Sequence, residues 1–262
     1  MTTDVIARAP LAPLCAQPSL RSEQVSQLVL GEAAELLESS GDWRRVRASS
    51  DGYQGWIHRG YLAEVERSEL DFWRRDASGW SLGATLRIGN QPIRLPLRAR
   101  VALDHDSVRL PDGRRGRLAD GAIPAADSLL TEARAQAPER WALERFAGAP
   151  YLWGGVTPWG VDCSGLVQTS FAARGMMLPR DSSQQIECGA PVSIDEPRPG
   201  DLLFFRSETG QSITHVAFAG EADTLVHSTV ACGGVVQESW LPGARAATLR
   251  ERLVAVRRME PR

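Results

Sequence analysis

The sequence predicts a multidomain chain in which two small, strongly bent β units precede an α+β domain. Three observations predict it. One pattern occurs twice in the first half, as "DGYQGWIHRGYL" (Asp51 to Leu62) and "DGRRGRLADGAI" (Asp112 to Ile123). From Ser128 the texture turns rich in Ala, Leu, Glu and Arg. Beyond it, a helical pattern opening at Cys163 is followed by short β-like runs, two of which carry histidine.

Composition sets the outer bounds. The chain has 262 residues, enough for two or three modest domains. Its formal net charge of -2 gives no electrostatic footprint for nucleic acid or an anionic membrane. No run of 18 apolar residues occurs, so no membrane span is expected. The opening "MTTDVIARAPLAPLCAQPSL" lacks the basic and apolar stretches of a signal peptide. "LAPLC" hints at a lipoprotein site but lacks the apolar run before it. The expectation is a cytoplasmic protein with free thiols, and a start codon further upstream would reopen export. The cysteines are Cys15, Cys163, Cys188 and Cys232, with no CxxC pair and no metal-ligand spacing. Most are expected to be small buried hydrophobes. Any histidine chemistry must use His58, His105, His215 or His227.

Both copies of the repeat read Asp-Gly-x-x-Gly-x-apolar-x-x-Gly-x-apolar, and each follows a short Arg-bearing apolar segment. Asp-Gly between two such segments predicts a hairpin, because glycine supplies the positive φ of the turn. The later glycine predicts a tight bend. These readings bound a first β unit at residues 1–66, a second at 67–126 and a third domain at 127–262. In the third, "SLLTEARAQAPERWALERFAGAP" predicts a first helix with Trp141, Leu143, Phe146 and Ala147 on one face, ended by Gly148 and Pro150.

The chemistry centres on Cys163. Leu166, Val167 and Phe171 give its helix an apolar face, Gly175 closes it, and Asp162 suits the N-cap or first turn. A first-turn cysteine meets unsatisfied N–H groups and the helix dipole, which favour a thiolate and can stabilise an oxyanion. A buried core thiol is the plainer reading of the same position. "ITHVAFAG" puts His215 at the start of one strand and "TLVHST" puts His227 at the end of the next, so their imidazoles can meet. A thiolate needs a base, and the base an orienting group; Cys163, His215 and His227 fit those roles. Two structural histidines, or two ligands of a metal, remain alternatives, although no further ligand stands at a short spacing.

Larger blocks carry a resemblance. "GDWRRVRASSDGYQGWIHRGYL" resembles a bacterial SH3-like domain. The second copy is a degenerate version without the tryptophans, and a generic Gly-rich β region is the alternative. "YLWGG", "DCSGLV", "LPRDSSQQ", "PGDLLFF", "ITHVAFAG" and "VHST", in that order from about Trp141 to Val256, resemble the NlpC/p60 family of papain-like cysteine peptidases. The resemblance implies two small SH3-like β-barrels followed by an α+β papain-like domain. It implies Cys163 as nucleophile, His215 as base, His227 as the group that orients it, and Tyr151 beside the oxyanion. Thr214 stands where the family usually has Ser. The implied substrates are bacterial cell-wall (murein) peptides cut after D-γ-glutamyl, with no metal or organic cofactor.

Two SH3-like units before the peptidase resemble, more narrowly, the γ-D-glutamyl-L-diamino acid endopeptidases of dipeptidyl-peptidase type that recycle wall peptides. This likeness implies a substrate L-Ala-γ-D-Glu-diamino acid with a free amino terminus, from which L-Ala-γ-D-Glu is released; separately, a monomer is expected. By position, Asp181, Ser182, Asp162 and Ser164 match the substrate-binding set. Glu32 and Tyr53 are the candidates in the first unit for a wall closing the site. Plain turn chemistry explains Asp181 and Ser182 equally well, while a residue such as Tyr53 is more often part of a hairpin turn and one such as Glu32 more often a surface acid. The alternatives are a secreted endopeptidase of intact wall anchored by its SH3-like domains, and a binding module with a dead peptidase domain. The intact Cys163, His215 and His227 argue against the last.

Overall fold

The computed structural model describes residues 3–259. The chain divides after Leu129 into two compact units, and the first contains both β regions.

In the first unit, seven antiparallel strands form one sheet: β1 (Thr3–Ala7), β2 (Leu11–Cys15), β3 (Gln24–Val29), β4 (Ala33–Ser40), β5 (Trp43–Ala48), β6 (Gln54–His58) and β7 (Leu62–Glu66), ordered β3-β2-β6-β5-β4-β1-β7. Helix α1 (Arg67–Asp76) leads to a second antiparallel sheet. Its strands are β8 (Gly79–Leu82), β9 (Thr85–Ile88), β10 (Gln91–Arg94), β11 (Leu97–Asp104), β12 (Ser107–Arg109) and β13 (Arg115–Asp120), ordered β10-β9-β13-β12-β11-β8. Strand β5 shows why the chain pairs this way. Val46 and Ala48 point into a core shared with Val5, Leu14, Leu28 and Ile57, while Arg45 and Arg47 alternate outward.

The sequence repeat is a repeat of local physics. In each copy the first glycine makes the turn with a positive φ, +75° at Gly52 and +83° at Gly113. The second lies in a strand that a neighbour crowds. A Cβ on Gly55 would come within 2.7 Å of Leu14 Cγ, and one on Gly116 within 2.9 Å of Ile88 Cγ1.

Glu32 is a nearly buried acid rather than a surface one. Its Oε1 accepts from Arg98 Nε at 2.5 Å and its Oε2 from the Val29 N–H at 3.0 Å. Both oxygens are thus engaged inside the first unit. Tyr53 packs against the core of the first sheet, and its N–H donates to Asp51 Oδ1 at 2.9 Å, as a turn residue does. Cys15 is buried in β2, whereas Cys188 is half-buried and Cys232 exposed, so two of the four thiols lie outside any core.

The second unit departs from expectation at its start. The single helix anticipated after Ser128 is two, α2 (Ala126–Ala135) and α3 (Pro138–Arg145). Pro138 brings no N–H and holds Ala137 extended (φ -64°, ψ 141°), so one helix stops and the next begins on the proline. Trp141 and Phe146 are buried, Leu143 is half-buried, and Ala147 is exposed. A short hairpin, β14 (Val156–Thr157) and β15 (Gly160–Val161), leads into α4 (Cys163–Ala172), followed by α5 (Ser182–Gln185). Six antiparallel strands complete the unit: β16 (Ala190–Val192), β17 (Leu202–Arg206), β18 (Ile213–Ala219), β19 (Thr224–Thr229), β20 (Gly234–Ser239) and β21 (Leu253–Arg258), ordered β16-β21-β17-β18-β19-β20.

Helix α4 is not the one-faced helix its sequence suggested. All ten of its residues are buried, because it packs on β18 and β19 and is covered by α3 and β14. Its polar side chains are satisfied internally. Gln168 Nε2 donates to the Leu178 carbonyl at 3.1 Å, Thr169 Oγ1 to that of Val156 at 2.8 Å, and Ser170 Oγ to that of Leu166 at 2.7 Å. Among the described residues no helix is long and apolar enough to cross a membrane.

Candidate active site

Cys163 stands at the first position of α4. Asp162 caps the helix, its Oδ1 accepting from the Gly165 N–H at 2.8 Å. Gly165 must be glycine, because a Cβ there would meet the Gly155 carbonyl oxygen at 2.1 Å. The Gly-Gly turn before the hairpin therefore lies directly on the first turn of the helix. The backbone N–H groups of Val216 and Ser164 bond to the Cys163 sulfur. Val216 follows His215 on β18, so the sulfur rests against the strand that carries the candidate base.

His215 and His227 sit on neighbouring antiparallel strands, β18 and β19. Nε2 of His215 lies 2.8 Å from Nδ1 of His227, with ring centroids 5.0 Å apart. Phe205, opposite His215 on β17, packs its ring 5.7 Å from the imidazole and limits its movement. One partner was not read from sequence: Glu238 on β20, whose Oε1 lies 2.7 Å from His227 Nε2. Arg245 holds both oxygens of Glu238, with Nε 2.9 Å from Oε2 and Nη2 bonded to Oε1. His227 pairs with Val236 across the β19–β20 ladder, and Glu238 lies two residues along the same face. Only that register could have signalled it.

Burial works against the thiolate that the helix start favours. Burial pushes the Cys163 thiol up to about 12, and the adjacent Asp162 carboxylate acts in the same direction. The Val216 and Ser164 N–H groups and Arg180 oppose it and lose. Burial likewise drives His215 down to about 3, helped by His227, Arg252 and Arg245. His227 is lowered by burial against the upward pull of Glu238. Both shifts favour a neutral thiol and a neutral imidazole over the charged pair. Tyr151 is raised to about 12, by burial first and then by Cys163 and Asp162, so its phenol keeps its proton.

Tyr151, Cys163, His215 and His227 line one pocket of about 360 Å³, together with Arg245 and Arg252. Asp162 and Ser164 are buried and do not line it. They belong to a second cluster built around Arg180, on which the charge of Asp181 also acts, and Ser182 follows as the first residue of α5. The Arg180 side chain is 1 % exposed; its Nη2 lies 2.6 Å from Asp162 Oδ2 and its Nη1 2.8 Å from Ser164 Oγ. Asp162 Oδ2 also accepts from the Gly154 N–H at 2.8 Å, so its oxygens are filled by internal donors. Arg180 was missed because "LPRDSSQQ" reads as turn and helix start, with nothing local to show what the guanidinium meets. Among the described residues no group of three or more His, Cys, Asp or Glu side chains could hold a metal ion.

Comparison with known proteins agrees with this geometry. The NlpC/P60 family profile matches residues 148–257, and the profile of the bacterial dipeptidyl-peptidase Sh3 domain matches residues 14–62. The chain is 26% identical over 232 residues to a γ-D-glutamyl-L-lysine dipeptidyl-peptidase of Bacillus cereus, covering 78% of this chain and 66% of that one. It is 38% identical over 92 residues to the probable endopeptidase NlpC of Escherichia coli, covering 35% of this chain and 60% of that one. The chain thus spans just under two thirds of the length of each relative. The crystal structure of an NlpC/P60 family protein from Bacillus cereus shares the fold, with a TM-score of 0.78 at 24% identity, covering 98% of this chain and 100% of that one. With a bacterial dipeptidyl-peptidase Sh3 domain at residues 14–62, the chain carries the cysteine–histidine site inside residues 148–257, a domain of the NlpC/P60 family of cysteine peptidases.

Proposed function

We propose that the protein hydrolyses the γ-D-glutamyl–diamino acid bond of murein peptides bearing a free amino-terminal L-Ala, and releases L-Ala-γ-D-Glu. The observation that carries the chemistry is that Cys163 and His215 line one pocket, with His227 Nδ1 2.8 Å from His215 Nε2. The substrate is supported by the Bacillus cereus relative, named a γ-D-glutamyl-L-lysine dipeptidyl-peptidase, and by the dipeptidyl-peptidase Sh3 match.

In this mechanism the γ-carbonyl carbon approaches Cys163, and the thiol proton moves to His215 as sulfur attacks. The tetrahedral oxyanion takes hydrogen bonds from the Cys163 N–H and the Tyr151 hydroxyl. His215 returns its proton to the amine of the leaving diamino acid, and a thioester remains. His215 then takes a proton from water. The hydroxide attacks the thioester carbon, and the sulfur leaves and recovers its proton. The free amine of L-Ala is assigned to Asp181 and Ser182, with Asp162 and Ser164 bracing that side through Arg180. Tyr151, Cys163, His215 and His227 line the same pocket, and a monomer is the state proposed. A peptidase confined to released peptides works where such peptides are salvaged, and the cytoplasm is the compartment assigned to it.

Mass spectrometry of digests of L-Ala-γ-D-Glu-diamino acid, with free and with acetylated amino termini, tests the reading. Cleavage of the free peptide alone, abolished in Cys163→Ala, is the expected result; equal cleavage of both peptides would overturn the free-amine requirement. The likeness to the Escherichia coli endopeptidase favours a second reading, an exported hydrolase of intact wall with SH3 anchors. Clearing of purified sacculi by a protein that ignores the free tripeptide would select it. Fractionation of cells that express the chain checks the compartment.

A further inference from the structure

We propose that Glu238 is a positioning residue of the reaction, whose carboxylate sets the tautomers of both histidines and so leaves Nδ1 of His215 bare to receive the Cys163 proton. The proposal rests on the reading of Cys163 as nucleophile and His215 as base, and goes beyond it by adding a fourth member.

A neutral imidazole carries one N–H and one bare nitrogen. Two imidazoles joined by one hydrogen bond, as His215 Nε2 and His227 Nδ1 are at 2.8 Å, can share it in either sense. In one sense His215 donates from Nε2 and keeps Nδ1 bare. In the other His227 donates from Nδ1, and His215 must carry its hydrogen on Nδ1. The second arrangement disables the base, because Nδ1 is the nitrogen of His215 left for Cys163. The two rings alone contain nothing that selects between them.

Glu238 selects. Its Oε1 lies 2.7 Å from His227 Nε2, and an ionised carboxylate can only accept. His227 therefore carries its hydrogen on Nε2, which leaves Nδ1 bare. That nitrogen accepts from His215 Nε2, and the bare position passes to His215 Nδ1. The carboxylate cannot swing away, because the Arg245 fork holds both of its oxygens. During attack the proton from sulfur joins His215 Nδ1, while Nε2–H stays on His227. No proton reaches Glu238, and the positive charge that forms on His215 is felt by the carboxylate through the second ring.

The test is the tautomer itself. The chain has four histidines, and long-range proton–nitrogen NMR of selectively labelled protein identifies which ring nitrogen carries hydrogen. Nε2–H on both His215 and His227 is the expected wild-type result, and Nδ1–H on either overturns the proposal whatever any variant does. In Glu238→Leu, His227 is expected to lose its single tautomer and kcat to fall by about tenfold or more with KM little changed. Glu238→Asp should restore part of kcat. Unchanged tautomers and unchanged kcat in a folded Glu238→Leu protein would also overturn it. Should the tripeptide prove not to be a substrate, the substrate reading fails by itself. The tautomers, together with the iodoacetamide alkylation rate of Cys163 read by peptide-resolved mass spectrometry, still decide the role of Glu238.

Discussion

Arg180 and Asp162 form a buried ion pair one residue before the nucleophile, with Nη2 2.6 Å from Oδ2 and side chains 1 % and 5 % exposed. Asp162 caps α4, and Arg180 also reaches Ser164 and the Gly155 carbonyl. The pair therefore ties the start of the catalytic helix to the Gly-Gly turn and to the loop before α5. Removing the guanidinium leaves a carboxylate buried without its counter-charge. Arg180→Met should cost about 3–5 kcal/mol in urea unfolding. Adding Asp162→Asn, which keeps a cap and removes the charge, should recover part of that loss. A Arg180→Met protein as stable as wild type would show that the pair contributes nothing.

What was legible in the sequence follows a physical division. Cys163, His215 and His227 could be read because each occupies a local context, a helix start or a strand end, that chemistry requires. The repeat could be read because turn geometry at Gly52 and Gly113 is set by adjacent residues. Arg180 and Glu238 could not. Their roles arise from partners 18 and 11 residues away, brought close only by packing and strand register. The break at Pro138 was open to reading and was outweighed by the helical texture around it. For the Cys163 thiol the two levels pull in opposite directions: the helix N-terminus, visible in sequence, favours the thiolate, while the burial that opposes it is not visible there.

That burial leads to a kinetic prediction. A thiol pushed up to about 12, beside an imidazole pushed down to about 3, is un-ionised across the neutral range. In the free enzyme, alkylation of Cys163 by iodoacetamide should be slow at pH 7 and still rising beyond pH 9. A pre-formed thiolate–imidazolium pair would instead give a fast rate, level from mildly acid pH upward. Peptide-resolved mass spectrometry separates Cys163 from the exposed Cys232 and half-buried Cys188.

The histidines also shape stability against pH. His215 and His227 both have folded values below their ordinary 6.5, so the unfolded chain binds protons that the folded chain refuses. Stability is therefore intact above about 6.5 and falls as pH drops below it, down to about 3 for His215. The melting temperature of wild type should decline over that window. His215→Asn has no proton to bind there, and its decline should be shallower. Parallel curves for the two proteins would mean that the imidazole is solvated and free to ionise.

Tyr151 gives the most direct test of transition-state stabilisation. Its N–H donates to the Gly233 carbonyl at 2.8 Å, and Pro150 bridges to Gly234, so the residue is fixed at the pocket by its backbone. The ring is half-buried, and its phenol, raised to about 12, remains a hydrogen donor at every working pH. Tyr151→Phe keeps the ring and that backbone anchoring and deletes one hydrogen bond. If the hydroxyl meets the oxyanion, the interaction exists only once charge develops on the carbonyl oxygen. The loss should then fall on kcat, by about 10²–10³, with KM scarcely moved. An equal rise in KM at constant kcat would instead assign the hydroxyl to ground-state binding. A melting temperature within a degree or two of wild type would show that the loss comes from chemistry rather than from unfolding.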